Sequence, residues 1–142
     1  MRIGYDERVN SDSSDVRFRV RYAETDQMGV VYHANYLVWM EMARTELCRM
    51  RGVAYSEIER NDGIIMVVAE ASCRYHQAAR YDEMIVASAV LKHAHPRMIT
   101  FGYEIRREEG TLLATGETRH LFLKDGRPIK VPAKYHGLFG LD

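Results

Sequence analysis

A chain of 142 residues with 20 basic and 20 acidic side chains carries a formal net charge of zero. That length suits one domain, and 46% apolar with 28% charged residues is the make-up of an ordinary folded domain. Neutrality removes the electrostatic footprint of a nucleic-acid binder or of a protein drawn to an anionic membrane, so any anionic ligand must be met by a local patch.

In chain order, residues 1–15 read as a flexible polar lead-in, with Asn10-Ser11-Asp12-Ser13-Ser14 at its end. Residues 16–142 read as a single domain. Val16, Phe18, Val20 and Tyr22 alternate with Arg17, Arg19 and Arg21, which predicts a strand with one apolar and one basic face. From Ala34 to Met50 the period changes: Tyr36, Met40, Ala43, Leu47 and Met50 fall at helical spacing. Leu37, Val38, Trp39 and Met42 make the first half of that helix apolar nearly all round, which predicts burial. Asn35 is placed to cap the helix and Gly52 to end it. Ser56 and Glu59 have capping-box spacing, so a short second helix is expected. Four strands follow over 64–76, 83–92, 98–107 and 112–123, with turns at Glu108-Glu109-Gly110 and Asp125-Gly126. Pro132 opens a tail with a final helical turn.

One strand, one long apolar helix and four strands that hairpins can join imply an α+β fold, an antiparallel five-stranded sheet around a central helix. Such a sheet leaves an edge strand unpaired, and a second copy is the natural cover. Cys48 and Cys73 form no CxxC pair and have apolar neighbours, so they read as reduced thiols of a cytoplasmic protein. No signal peptide is evident, and no apolar run approaches the length of a membrane span.

The chemistry concentrates at Asp26. This carboxylate stands in a loop that reaches a helix start within a few residues, and Gly29 lets the chain bend between them. A helix start offers unpaired N–H groups to a developing oxyanion. A carboxylate beside it supplies a base or a nucleophile for acyl chemistry. An Asp in a turn is otherwise a capping residue. No Gly-x-Ser-x-Gly elbow, Walker loop, GxGxxG or HExxH is present. His93-x-His95 lacks the further ligands a metal site needs.

The run Asp26-x-x-Gly29-x-Val31-x-x-x-Asn35-Tyr36, followed by an apolar helix, resembles the active-site signature of the hotdog-fold hydroxybenzoyl-CoA thioesterase family. The fuller wording Tyr22-x-Glu24-Thr25-Asp26-x-x-Gly29-Val30-Val31-Tyr32-His33-Ala34-Asn35-Tyr36 is similar to its YbgC-type acyl-CoA thioesterase branch. The resemblance runs from about Val16 to about Tyr135. It implies a hotdog fold and hydrolysis of an acyl-CoA to a carboxylic acid and free CoA. By resemblance, Asp26 is general base or nucleophile, the His33 N–H polarises the thioester carbonyl, and the His33 side chain also acts. Tyr22 orients Asp26 or water, Gly29 and Val31 meet the substrate, and Arg97 contacts a CoA phosphate. The family needs no metal and no cofactor beyond the CoA of its substrate. It forms homodimers or homotetramers with sites between subunits. A non-catalytic acyl-CoA-binding hotdog module, and a thioesterase acting on acyl-carrier protein, are the alternatives. The acyl group is open.

Overall fold

Alternation sets the first element. β1 (Ser13–Arg19) buries Ser14, half-buries Val16 and Phe18, and exposes Asp15, Arg17 and Arg19. The computed structural model describes residues 13–52 and 55–141. Residues 1–12 of the expected lead-in lie outside these, and Ser13–Asp15 belong to β1. The strand ends before Tyr22, which opens a single 3-10 turn, Tyr22–Glu24. Tyr22 therefore does not continue the apolar face of the strand. The Thr25 N–H and hydroxyl both donate to the Tyr22 carbonyl, at 3.1 and 2.7 Å, and pull the chain out of the extended form.

α1 (Asn35–Met50) is the central helix, with Tyr36, Trp39, Met40, Ala43 and Leu47 at core positions. Asn35 is its first helical residue and not its cap; the amide instead donates to the Glu24 carbonyl at 2.8 Å. Gly52, at φ 116°, takes the left-handed conformation that ends the helix. Burial is less complete than the composition suggests, because Leu37, Val38 and Met42 stay 38–46% exposed. These three side chains form an apolar face that the rest of the described chain leaves uncovered. α2 (Tyr55–Asp62) follows as expected.

The sheet is antiparallel, in the order β1-β3-β4-β5-β2. Its strands are β2 (Ile64–Tyr75), β3 (Met84–His95), β4 (Met98–Arg107) and β5 (Leu112–Lys124). A sixth short strand, β6 (Arg127–Ile129), was not expected; it folds back on β5 through the Asp125-Gly126 turn, whose two residues both have positive φ. After Pro132 a 3-10 segment, Ala133–Phe139, caps the core with Tyr135, Leu138 and Phe139. α1 lies across the sheet and buries against Ile85, Leu91, Ile99, Phe101 and Phe122, which is the hotdog arrangement. Ser14 Oγ donates to the Ala43 carbonyl at 2.6 Å and ties β1 to the helix. β1 and β2 are the sheet's outer strands, and β2 carries a bulge between Val68 and Glu70.

Candidate active site

Two anchors fix the loop between β1 and α1. The first is Glu24, only 5% exposed. One carboxylate oxygen accepts the Arg21 N–H at 2.8 Å, and the other accepts the Trp39 indole N–H at 2.8 Å. Its carbonyl takes the Tyr32 N–H at 2.9 Å. Burial works to raise the Glu24 pKa, but the hydrogen bonds from Arg21 and Trp39 outweigh it and hold the carboxyl below its ordinary range. The second anchor is Ala79: its carbonyl accepts the Val31 N–H at 2.8 Å, and its N–H donates to the Tyr36 hydroxyl at 3.0 Å.

Between these anchors the chain makes a tight turn on Asp26. The Asp26 N–H donates to the Val30 carbonyl at 2.9 Å, and the Gly29 N–H donates to the Asp26 carbonyl at 3.0 Å. Gly29 sits at φ 79°, where an L side chain is strained. One Asp26 carboxylate oxygen accepts the Met28 N–H at 2.8 Å. The other makes no hydrogen bond among the described residues, so half of the carboxylate is left for chemistry.

Asp26, Val31, His33, Tyr36 and Tyr75 share a cleft of about 280 Å³, walled further by residues 76–78. That is near the lower limit for a small-molecule site, and apolar surface dominates it, as in most such sites. The N–H groups of His33 and Ala34 at the helix start make no hydrogen bond among the described residues. Of these two, His33 lines the cleft, and a carboxylate and an unpaired donor at one apolar cleft are the parts an acyl-transfer site requires.

Of the residues singled out in the sequence, Asp26, Val31 and His33 line this cleft, with Gly29 in the turn that shapes it. Tyr22 does not line it. Its ring is 77% exposed and meets Tyr81 edge-on, centroids 5.6 Å apart. Arg97 lies in the β3–β4 hairpin, exposed, its N–H donating to His95 Nδ1 at 3.2 Å. The register pairs Met98 with Leu121 and Leu121 with Val67, whereas Tyr75 pairs with Ala114. Eight residues of strand thus separate Arg97's end of the sheet from the cleft, roughly 25 Å. Glu24 and Tyr75 went unassigned in the sequence. Glu24 was legible in principle, since a buried indole N–H needs an acceptor. A second groove, on the outer face of the sheet, has its charges already paired: Arg17 with Glu108 and Arg106 with Glu104, both at 3.2 Å.

The model describing the thioesterase superfamily matches residues 28–114, more than half of the chain. The chain belongs to the thioesterase superfamily. This match starts two residues after Asp26, so membership does not depend on that residue. Among individual thioesterase relatives, the Bacillus subtilis protein YneP is 38% identical over 108 residues, 76% of this chain and 78% of its own. The acyl-CoA thioester hydrolase YbgC of Escherichia coli is 32% identical over 99 residues, 70% of this chain and 73% of its own. The solved structure of a DHNA-CoA thioesterase from Staphylococcus aureus superposes with a TM-score of 0.80 at 33% identity, covering 83% of this chain and 80% of that one. The thioesterase fold is thus shared along with the sequence, and no helix among the described residues is long and apolar enough to cross a membrane.

Proposed function

We propose that this thioester hydrolase cleaves an acyl-CoA in the Asp26 cleft, releasing a carboxylic acid and free CoA. The observation that carries the reading is the meeting, at one apolar cleft, of Asp26 with His33, whose backbone N–H makes no hydrogen bond among the described residues. The names of YbgC and of the Staphylococcus aureus enzyme support a CoA thioester as substrate. Asp26 acts as general base toward water or as nucleophile, and the His33 N–H stabilises the carbonyl oxygen as charge develops. The leaving thiol has an unperturbed pKa of about 8.5 and departs as thiolate, so no strong general acid is needed. Nor is a cofactor, since carboxylate, donors and water complete the reaction. The His33 ring packs beside Tyr32, centroids 4.6 Å apart, at the cleft mouth, where it meets water or substrate.

The same reading makes the protein a homo-oligomer with sites between subunits. Supporting it are the unpaired edge of β2 and the exposed Leu37, Val38, Ile65 and Val68. A twofold that pairs β2 with its copy sets the Val67 end of one strand against the Tyr75 end of the other. The partner's Arg97 then approaches the cleft from which this protomer's Arg97 is remote, which suits a contact to a CoA phosphate. Free thiols at Cys48 and Cys73 support a reducing, cytoplasmic setting.

Thiol release from a panel of acyl-CoAs, with wild type and Asp26→Asn side by side, tests the reading. Turnover by wild type that collapses in a folded mutant is expected. Wild type that binds acyl-CoA without releasing thiol would leave a binding module in its place.

A further inference from the structure

Tyr75 is the last residue of β2, and it reaches across the cleft to the start of α1. Its hydroxyl donates to the His33 carbonyl at 2.9 Å. Its ring stands edge-on to His33 and to Tyr36, with centroids 6.3 and 5.2 Å apart. Partial burial and a hydrogen bond with Cys73 push the phenol up to about 12, so it stays a donor across the working range.

The carbonyl that Tyr75 grips is weakly held otherwise. The first-turn bond from the Tyr36 N–H to it is long, 3.4 Å. Ala34, in the cap position, offers no side-chain cap, and the Asn35 amide is committed to Glu24. The His33 carbonyl shares one rigid peptide plane with the Ala34 N–H. In a trans peptide that N–H points opposite to the oxygen, away from Tyr75, so what the hydrogen bond holds at the cleft is the main chain of His33 itself. The His33 N–H lies on the other side of the same Cα, so anchoring that residue through its carbonyl restrains where the N–H sits.

We propose that Tyr75 is a positioning residue: from the end of the edge strand it anchors the His33 main chain at the start of α1 and so holds the His33 N–H toward the thioester oxygen. This rests on the acyl-CoA reading of the cleft. It assigns to β2 a part in catalysis, because the strand expected at the subunit seam also steadies the oxyanion donor.

The test is Tyr75→Phe, which removes the hydroxyl and keeps the ring. On the best acyl-CoA substrate, kcat is expected to fall about tenfold, with KM changed less than about twofold. A second readout is the thioester carbonyl stretch of that acyl-CoA bound to the Asp26→Asn protein. Its shift to lower frequency, caused by the donors, is expected to shrink when Tyr75→Phe is added. An active wild type with unchanged kcat in Tyr75→Phe, or an unchanged carbonyl stretch, overturns the inference alone. A wild type silent on every acyl-CoA removes the functional reading and this inference with it.

Discussion

The Trp39 indole donates a 2.8 Å hydrogen bond to the buried carboxylate of Glu24, fifteen residues earlier in the chain. This contact is one of the anchors that tie the loop carrying Asp26 to the central helix. The position of the Asp26 carboxylate relative to the start of α1 depends on it, and in the proposed reaction small displacements between such groups cost large factors in rate.

Glu24→Gln retains the shape and replaces one acceptor oxygen with an N–H₂ group. Either the Arg21 N–H or the Trp39 indole then faces a donor. The expected loss is about 2 kcal/mol of stability at pH 7, read by urea unfolding. The pH dependence has a definite sign. The Glu24 carboxyl is held below its ordinary value of 4.5 by its hydrogen bonds, against the effect of burial. Its stabilisation is therefore complete above pH 4.5 and is lost as pH falls toward the lower folded value. The gap between wild type and Glu24→Gln should narrow below pH 4.5; a gap that widens there would refute the assignment.

Asp26→Asn should lower turnover by about 10²–10⁴ while leaving the melting temperature within a degree or two. The stability half follows from the turn: an amide oxygen still accepts the Met28 N–H in the same geometry, if more weakly than a carboxylate oxygen does. A mutant that loses activity only because it unfolds would show a lowered melting temperature, and circular dichroism separates the two.

Much of this arrangement was legible beforehand, and the parts that were not share a cause. Period and composition located α1 and the strands β1 to β5, β4 at its observed bounds of Met98–Arg107, because a core-facing stripe is a local property of sequence. β6 was missed because its three residues carry no period; only the turn before them is visible. Asp26, Val31 and His33 could be read because they lie in one short motif that folds into one cleft. Tyr75 could not, since only the long-range pairing of β2 with β5 delivers it to the helix start. Tyr22 and Arg97 lie away from the cleft for the same reason in reverse. Spacing along a chain does not reveal where a strand ends, nor which end of a sheet a hairpin occupies.

His120 should make the fold acid-sensitive. Its ring is 1% exposed, Nε2 pairs with the Thr118 hydroxyl at 2.7 Å, and Nδ1 has no partner among the described residues. Burial, with Arg44 adding repulsion, pushes it down to about 3 from 6.5. The neutral ring contributes its stability fully above pH 6.5 and loses it as pH falls toward 3. Within that window each unit of pH costs up to about 1.4 kcal/mol. His120→Leu keeps an apolar body in the core, and Thr118 still has the Tyr103 hydroxyl as partner. The variant's unfolding free energy should vary less between pH 6.5 and 4 than the wild type's. Equal slopes would show that the ring is not held neutral.

Gly116→Ala should destabilise the protein for a reason that repacking of one side chain does not relieve. A Cβ at this position would lie 2.6 Å from Met40 Cε and 2.7 Å from the backbone oxygen of Ser72. Met40 is flexible and can swing aside, so the first clash alone would be mild. The second is with β2, which pairs with β5 through Cys73 opposite Gly116, and it can be relieved only by moving backbone. The expected cost is about 1–3 kcal/mol in urea unfolding. Met40→Ala in the same chain should recover only part of it, after allowing for the cavity that substitution creates on its own. Because the strand that must move ends at Tyr75, kcat should fall with stability even though Gly116 lies outside the cleft lining. A Gly116→Ala protein with wild-type stability and turnover would mean that β2 has slack at Ser72, and the close packing of α1, β5 and β2 would not be what aligns the site.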